Sequence, residues 1–367
     1  DVGQTKLIIL GKEKQLTLVD SADRIVTVPR PVERVVSLAP DATRIIIALG
    51  ECDKLVARIA STWGDCICYR TPEDAPKCAA GVCGGRYIEL PGVASYPTIN
   101  EELLVSIKPD VVITFAQDIA SANALQEKTD IPVVRFVAPG EGGTKYTFFE
   151  KVYSQIGLIG TLLDREEEAE KLRAFVEEKL DKVRKVTSEV PDSDKPKVYI
   201  VSRSSGGSMQ GGFTTTLPNF DPIDIAGGTN VADDAGEMAG DLSLQVSKEQ
   251  VIKWNPDIIL INRRSLTSPA SVTIESVLSD PDLQTVNAIK SKNVYYGISP
   301  HCFGKPQDRI LINTVYLAKL FYPEEFNDLN LEEEGNEIMK RFLGVDGLFS
   351  EYADYLVWMR EWLDSQK

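Results

Sequence analysis

One phrase occurs twice in this chain. Ile107-Lys108-Pro109-Asp110-Val111-Val112-Ile113-Thr114 is matched by Trp254-Asn255-Pro256-Asp257-Ile258-Ile259-Leu260-Ile261. An amphipathic stretch precedes each, Asn100–Ser106 in the first case and Ser247–Lys253 in the second. In both, a short helix ends, proline prevents its continuation, and a β-branched run makes a strand buried on both faces. Two copies of one helix–Pro-Asp–strand unit, about 147 residues apart, predict two similar α/β lobes with a ligand cleft between them.

A chain of 367 residues with 43% apolar residues can bury a core in each lobe. No apolar run approaches the ~20 residues that span a bilayer. A net charge of −15 argues against nucleic acid and anionic membrane surfaces as partners. The chain begins at Asp1, which sets the expectation of a removed, lipid-anchoring targeting segment and an extracytoplasmic location.

Four of six cysteines cluster as Cys66, Cys68, Cys78 and Cys83, while Cys52 and Cys302 lie elsewhere. The reading preferred is one or two disulfides pinning a loop of an exported protein. A structural metal site is the rival, but C-x-C lacks the two-residue spacing usual inside zinc cysteine pairs.

Residues 7–28 read as a hairpin and Val35–Leu38 as a buried strand, with a helix from Pro40 to Leu49 closed by Gly50. Residues 60–98 read as a long irregular insertion. Residues 165–188 read as one helix without Pro or Gly, acidic at its start and basic at its end, long enough to join the lobes. The expected organisation is a first lobe over 1–146, linking helices over 147–190, a second lobe over 191–323 and a helical tail over 324–367. Tyr352, Tyr355, Trp358 and Trp362 recur at helical spacing in that tail and read as core packing.

Ordered phrases along residues 16–321 resemble the substrate-binding proteins of the iron-complex and cobalamin class of ABC importers. They include Val26–Pro29, Val35-Val36-Ser37-Leu38-Ala39-Pro40-Asp41-Ala42-Thr43, Asp224-Ile225-Ala226-Gly227-Gly228-Thr229-Asn230-Val231 and Lys292-Asn293-Val294-Tyr295. The resemblance implies two Rossmann-like lobes joined by one long backbone helix, a permease as partner and a small-molecule ligand. It implies a monomer with no covalent cofactor and no catalysis. The expected ligand is metal-containing, a ferric chelate or a corrinoid. An oxyanion such as molybdate or tungstate is the alternative. A metal-dependent enzyme using the cysteine cluster and His301 is the rival from another class. No catalytic signature such as H-E-x-x-H or G-x-S-x-G accompanies it.

The resemblance also implies one permease-docking carboxylate per lobe, at Glu102 (with Glu101 beside it) and Glu249. The ligand is expected at the carboxyl ends of the strands. First-lobe candidates are Ala39–Thr43, Trp63, Arg86, Tyr87, Phe115, Gln117 and Tyr146. Second-lobe candidates are Arg203–Gly212, Asn262, Arg263, Arg264 and Ser299–Lys305, including His301 as a metal or anion contact. Guanidinium groups suit anionic oxygens, and rings suit a chelate body.

Overall fold

The computed structural model describes residues 14–59, 76–95, 98–114, 119–136, 148–202, 212–235, 244–263, 272–298 and 306–366. An antiparallel hairpin opens it, β1 (Gln15–Val19) and β2 (Ile25–Pro29). Its alternate residues Leu16, Leu18, Val26 and Val28 are buried, as period-two patterning requires.

The first lobe follows. It comprises β3 (Val35–Ser37), α1 (Pro40–Ala48), β4 (Leu55–Ile59), α2 (Pro76–Gly81), α3 (Arg86–Glu89), β5 (Gly92–Ser95), β6 (Thr98–Ile99), α4 (Glu101–Ile107), β7 (Val111–Thr114), α5 (Ile119–Thr129) and β8 (Val133–Arg135). Its six strands lie in the order β6-β5-β4-β3-β7-β8, parallel except at the β5–β6 edge. Every residue of β3, β7 and β8 is buried, because helices cover both faces of a parallel sheet.

Two helices connect the lobes, α6 (Phe148–Leu162) and α7 (Glu166–Thr187). The second lobe carries β9 (Lys197–Val201), β10 (Thr215–Thr216), α8 (Asp221–Ile225), β11 (Thr229–Asn230), β12 (Leu244–Gln245), α9 (Lys248–Trp254), β13 (Ile258–Arg263), α10 (Ile274–Leu278), α11 (Asn287–Lys290), β14 (Val294–Ile298) and α12 (Gln307–Phe321). Its sheet runs β12-β10-β9-β13-β14, and β11 also pairs with β9. The tail forms α13 (Leu331–Leu343), α14 (Leu348–Tyr355) and α15 (Val357–Ser365).

Helix α7 is continuous over 22 residues, roughly 33 Å at the α-helical rise. Its buried stripe is Ala169, Leu172, Val176, Leu180 and Val183. Each end is tied to a different lobe. Arg165, just before it, pairs with the buried Glu51 after α1. Thr187 at its end donates to the carbonyl of Ile225 at 2.8 Å. Gly227 completes that junction: it adopts φ +81°, and a Cβ there would come within 2.9 Å of Thr187 and Tyr322.

Two features differ from the sequence reading. Residues 76–95 of the expected irregular insertion are folded into α2, α3 and β5, because a Cys52–Cys83 disulfide staples the segment to the turn before β4. The tail's aromatic stripe is not one helix. Leu356 breaks it with ψ 80°. Trp358 still packs on Tyr296 and Tyr316, and Trp362 on Tyr316 edge-on.

Candidate functional site

Both sheets change winding direction at one point. In the first sheet β4 and β5 extend to one side of β3, and β7 and β8 to the other. In the second, β10 lies on one side of β9, and β13 and β14 on the other. Chains leaving such a pair at the carboxyl edge diverge and open a crevice. Two helix starts bring the crevices together: α1 follows β3, and α12 follows β14. Gln307 Nε2 donates to the carbonyl of Asp41 at 3.3 Å. Arg44 Nε donates to Asp308 Oδ1 at 3.0 Å, with both side chains fully enclosed. The two carboxyl edges therefore meet over a buried polar floor contributed by both lobes.

In the second lobe this floor has hydrogen-bonding groups without a partner. Ser202 Oγ, both polar atoms of the Asn262 amide, Gln307 Oε1 and Asp308 Oδ2 are buried and make no hydrogen bond among the described residues. Buried polar groups are nearly always satisfied. Ser202, Gln307 and Asp308 were not picked out by the sequence; the signal was a polar residue standing at the end of an apolar strand or the start of an apolar helix.

Of the expected ligand contacts, Trp63, Phe115, Gln117, Tyr146, Arg203, Arg264 and His301 lie outside the described residues, as do Cys66, Cys68 and Cys302. Two expectations are corrected. Arg86 is engaged within its own lobe: its guanidinium donates to the carbonyls of Cys52 and, at 3.0 Å, Leu55. Tyr87 is no platform, being 2% exposed and part of the main core. Both follow from the disulfide, which folds the insertion back onto β4. Cys83 pairs with Cys52, a residue the sequence set apart from the cluster, and Cys78 is also disulfide-bonded, so neither thiol is available to a metal.

Glu102 and Glu249 occupy equivalent first turns of α4 and α9. Asn100 caps α4 by accepting from Leu103 N at 3.0 Å, and Ser247 caps α9 by accepting from Gln250 N at 3.2 Å. Glu101 is engaged by Lys128 at 3.0 Å, leaving Glu102 as the exposed carboxylate. Glu249 is exposed too; its own backbone N–H and the Ser247 hydroxyl hold its carboxyl below the usual range.

Two α/β lobes joined by the α6–α7 pair, with facing carboxyl edges and an exposed carboxylate on each lobe, define a two-lobed ligand-capturing protein. The chain belongs to the periplasmic binding protein family, whose profile matches residues 35–300. It is 27% identical over 345 residues to the molybdate-binding protein MolA of Haemophilus influenzae, covering 89% of this chain and 90% of that one. A vitamin B12-binding protein of Vibrio parahaemolyticus is 28% identical over 65% of this chain and 73% of its own length. The solved structure of Haemophilus influenzae MolA bound to molybdate superposes with a TM-score of 0.68 at 21% identity, over 90% of this chain and 98% of that one. Such proteins are the substrate-binding components of ABC importers, and this chain is one of them.

Proposed function

We propose that this protein captures a metal oxyanion of the molybdate type between its lobes, outside the cytoplasm, and hands it to an ABC importer permease without chemical change. The single observation that carries the ligand class is the match to a molybdate-binding relative along nine-tenths of both chains. The floor of the site agrees with it. Its unpartnered groups include the Ser202 hydroxyl and the Asn262 and Gln307 carboxamides, which suit oxygen atoms, beside one oxygen of the Asp308 carboxylate, whose charge Arg44 offsets. The corrinoid remains the second reading because of the vitamin B12-binding relative.

Docking is assigned to Glu102 and Glu249, one charge per lobe, so that the permease contacts both lobes at once. The ligand is tested by calorimetry of the purified, ligand-stripped protein against molybdate, tungstate, a ferric hydroxamate and cobalamin. Saturable one-to-one binding of the oxyanions is expected. Binding of cobalamin or the ferric chelate alone moves the assignment to the second reading.

A further inference from the structure

Strand register sets Ser202 and Asn262 side by side. Val201 of β9 pairs with Ile261 of β13, so the next residue of each chain falls at the same level of the carboxyl edge. Val201 and Ile261 point into one core, with Tyr199 and Ile259. Ile200 and Leu260 point into the other, which includes α12. By alternation, Ser202 and Asn262 both face α12. Their position is the β9/β13 switch point, where the chains diverge.

Three polar atoms of this pair are buried and unpartnered: Ser202 Oγ, Asn262 Nδ2 and Asn262 Oδ1. Two neighbouring acceptors are already engaged. Asn313 Oδ1 accepts from Ile298 N at 3.1 Å. Thr215 O accepts from Ser202 N at 2.7 Å. Room for the amide exists only because β14 carries Gly297 opposite Asn262; a Cβ there would lie 2.6 Å from Asn262 Oδ1. The site thus holds clearance for a carboxamide but, among the described residues, no internal partner for it.

We infer that Ser202 and Asn262 form a recognition subsite for the oxygens of a metal oxyanion, with Gly297 supplying the clearance that aims the amide; this rests on the oxyanion reading above. The hydroxyl and the amide Nδ2 are neutral donors whose atoms are buried, and a hydrogen bond from such a donor to an anionic oxygen is strong. Asn262 Oδ1 accepts from a protonated oxygen or a water carried with the anion. Two donors at fixed spacing select by geometry, and asparagine rather than aspartate is required, since a carboxylate would repel the anion.

The experiment titrates molybdate and tungstate into the parent, Ser202→Ala, Asn262→Leu and Asn262→Asp, and records melting with and without oxyanion. Each lost hydrogen bond to a charged oxygen should weaken binding roughly tenfold to hundredfold. Asn262→Asp should bind more weakly still. In the ligand-free state Ser202→Ala and Asn262→Leu should melt at or above the parent temperature, because they remove unpartnered groups. Parent-like affinity in both overturns the subsite while leaving the oxyanion reading intact. Ligand-free destabilisation in both also overturns it, marking the pair as structural. If the parent itself binds neither oxyanion, the reading fails and the subsite with it.

Discussion

The two copies of the helix–Pro-Asp–strand unit are alike in how they are built and unlike in how they are tied down. In each, a capped seven-residue helix ends in a left-handed residue, Lys108 at φ 52° and Asn255 at φ 48°. Each aspartate after the proline then grips the neighbouring strand. Asp110 accepts from the backbone N–H groups of Glu33 and Arg34, both at 2.8 Å, and Asp257 from that of Lys197 at 3.0 Å. The difference lies in the partner. In the first copy Arg34 reaches back to the carbonyls of Ile107 and Lys108 at 2.7 and 3.1 Å. In the second, Asn287 bonds Asn255 Oδ1 at 2.8 Å and Asp257 Oδ1 at 3.1 Å. The shared part sets the strand register and presents the glutamate; the unshared part only fastens the unit to its own lobe.

The largest expected effect concerns what fuses the copies into one molecule. Asp308→Ala removes the enclosed carboxylate that Arg44 meets across the lobes, and losing one member of a buried ion pair should cost about 3 kcal/mol or more. Urea unfolding measures it, and a loss under about 1 kcal/mol would mean that this ion pair is not what fuses the lobes.

A smaller effect separates the lobes by pH. Burial, with Asp233 and Asp221 close by, raises the Asp224 carboxyl to about 7. The native state then keeps a proton that the unfolded chain releases near pH 4, so this group's contribution to stability falls as pH rises from about 4 to about 7. Asp224 is exposed on its helix, so solvent screens the shift; Asp224→Asn should be modestly more stable than the parent at pH 8 and close to it at pH 4. Equal effects at both pH values would contradict the assignment.

The smallest effect probes the shared part itself. Asp110→Ala and Asp257→Ala each remove a carboxylate that accepts two hydrogen bonds, worth about 1–3 kcal/mol. Losses in the two variants should agree within about 1 kcal/mol in denaturant melts. A strongly lopsided result would show that Arg34 or Asn287, not the common geometry, holds the unit.

Much of this architecture was legible in the residues. The repeated phrase announced two lobes, and the dipole-matched run 165–188 announced α7, because both signals are local. Arg86 and Tyr87 were misread because a loop's destination is set by a long-range bond, here Cys52–Cys83. Ser202 stayed invisible for a related reason. Its role depends on lying beside Asn262, some 60 residues away in the chain, and strand pairing across that distance leaves no local pattern.

The central claim is that the importer reads both lobes through equivalent glutamates while the ligand is held between them. Its most direct test is ligand-stimulated ATPase activity of the reconstituted importer, supplied with oxyanion-loaded parent, Glu102→Lys, Glu249→Lys and the double variant. The account predicts reduced stimulation for each single variant, none for the double variant, and parent-like oxyanion affinity in all. Full stimulation by the double variant would contradict it.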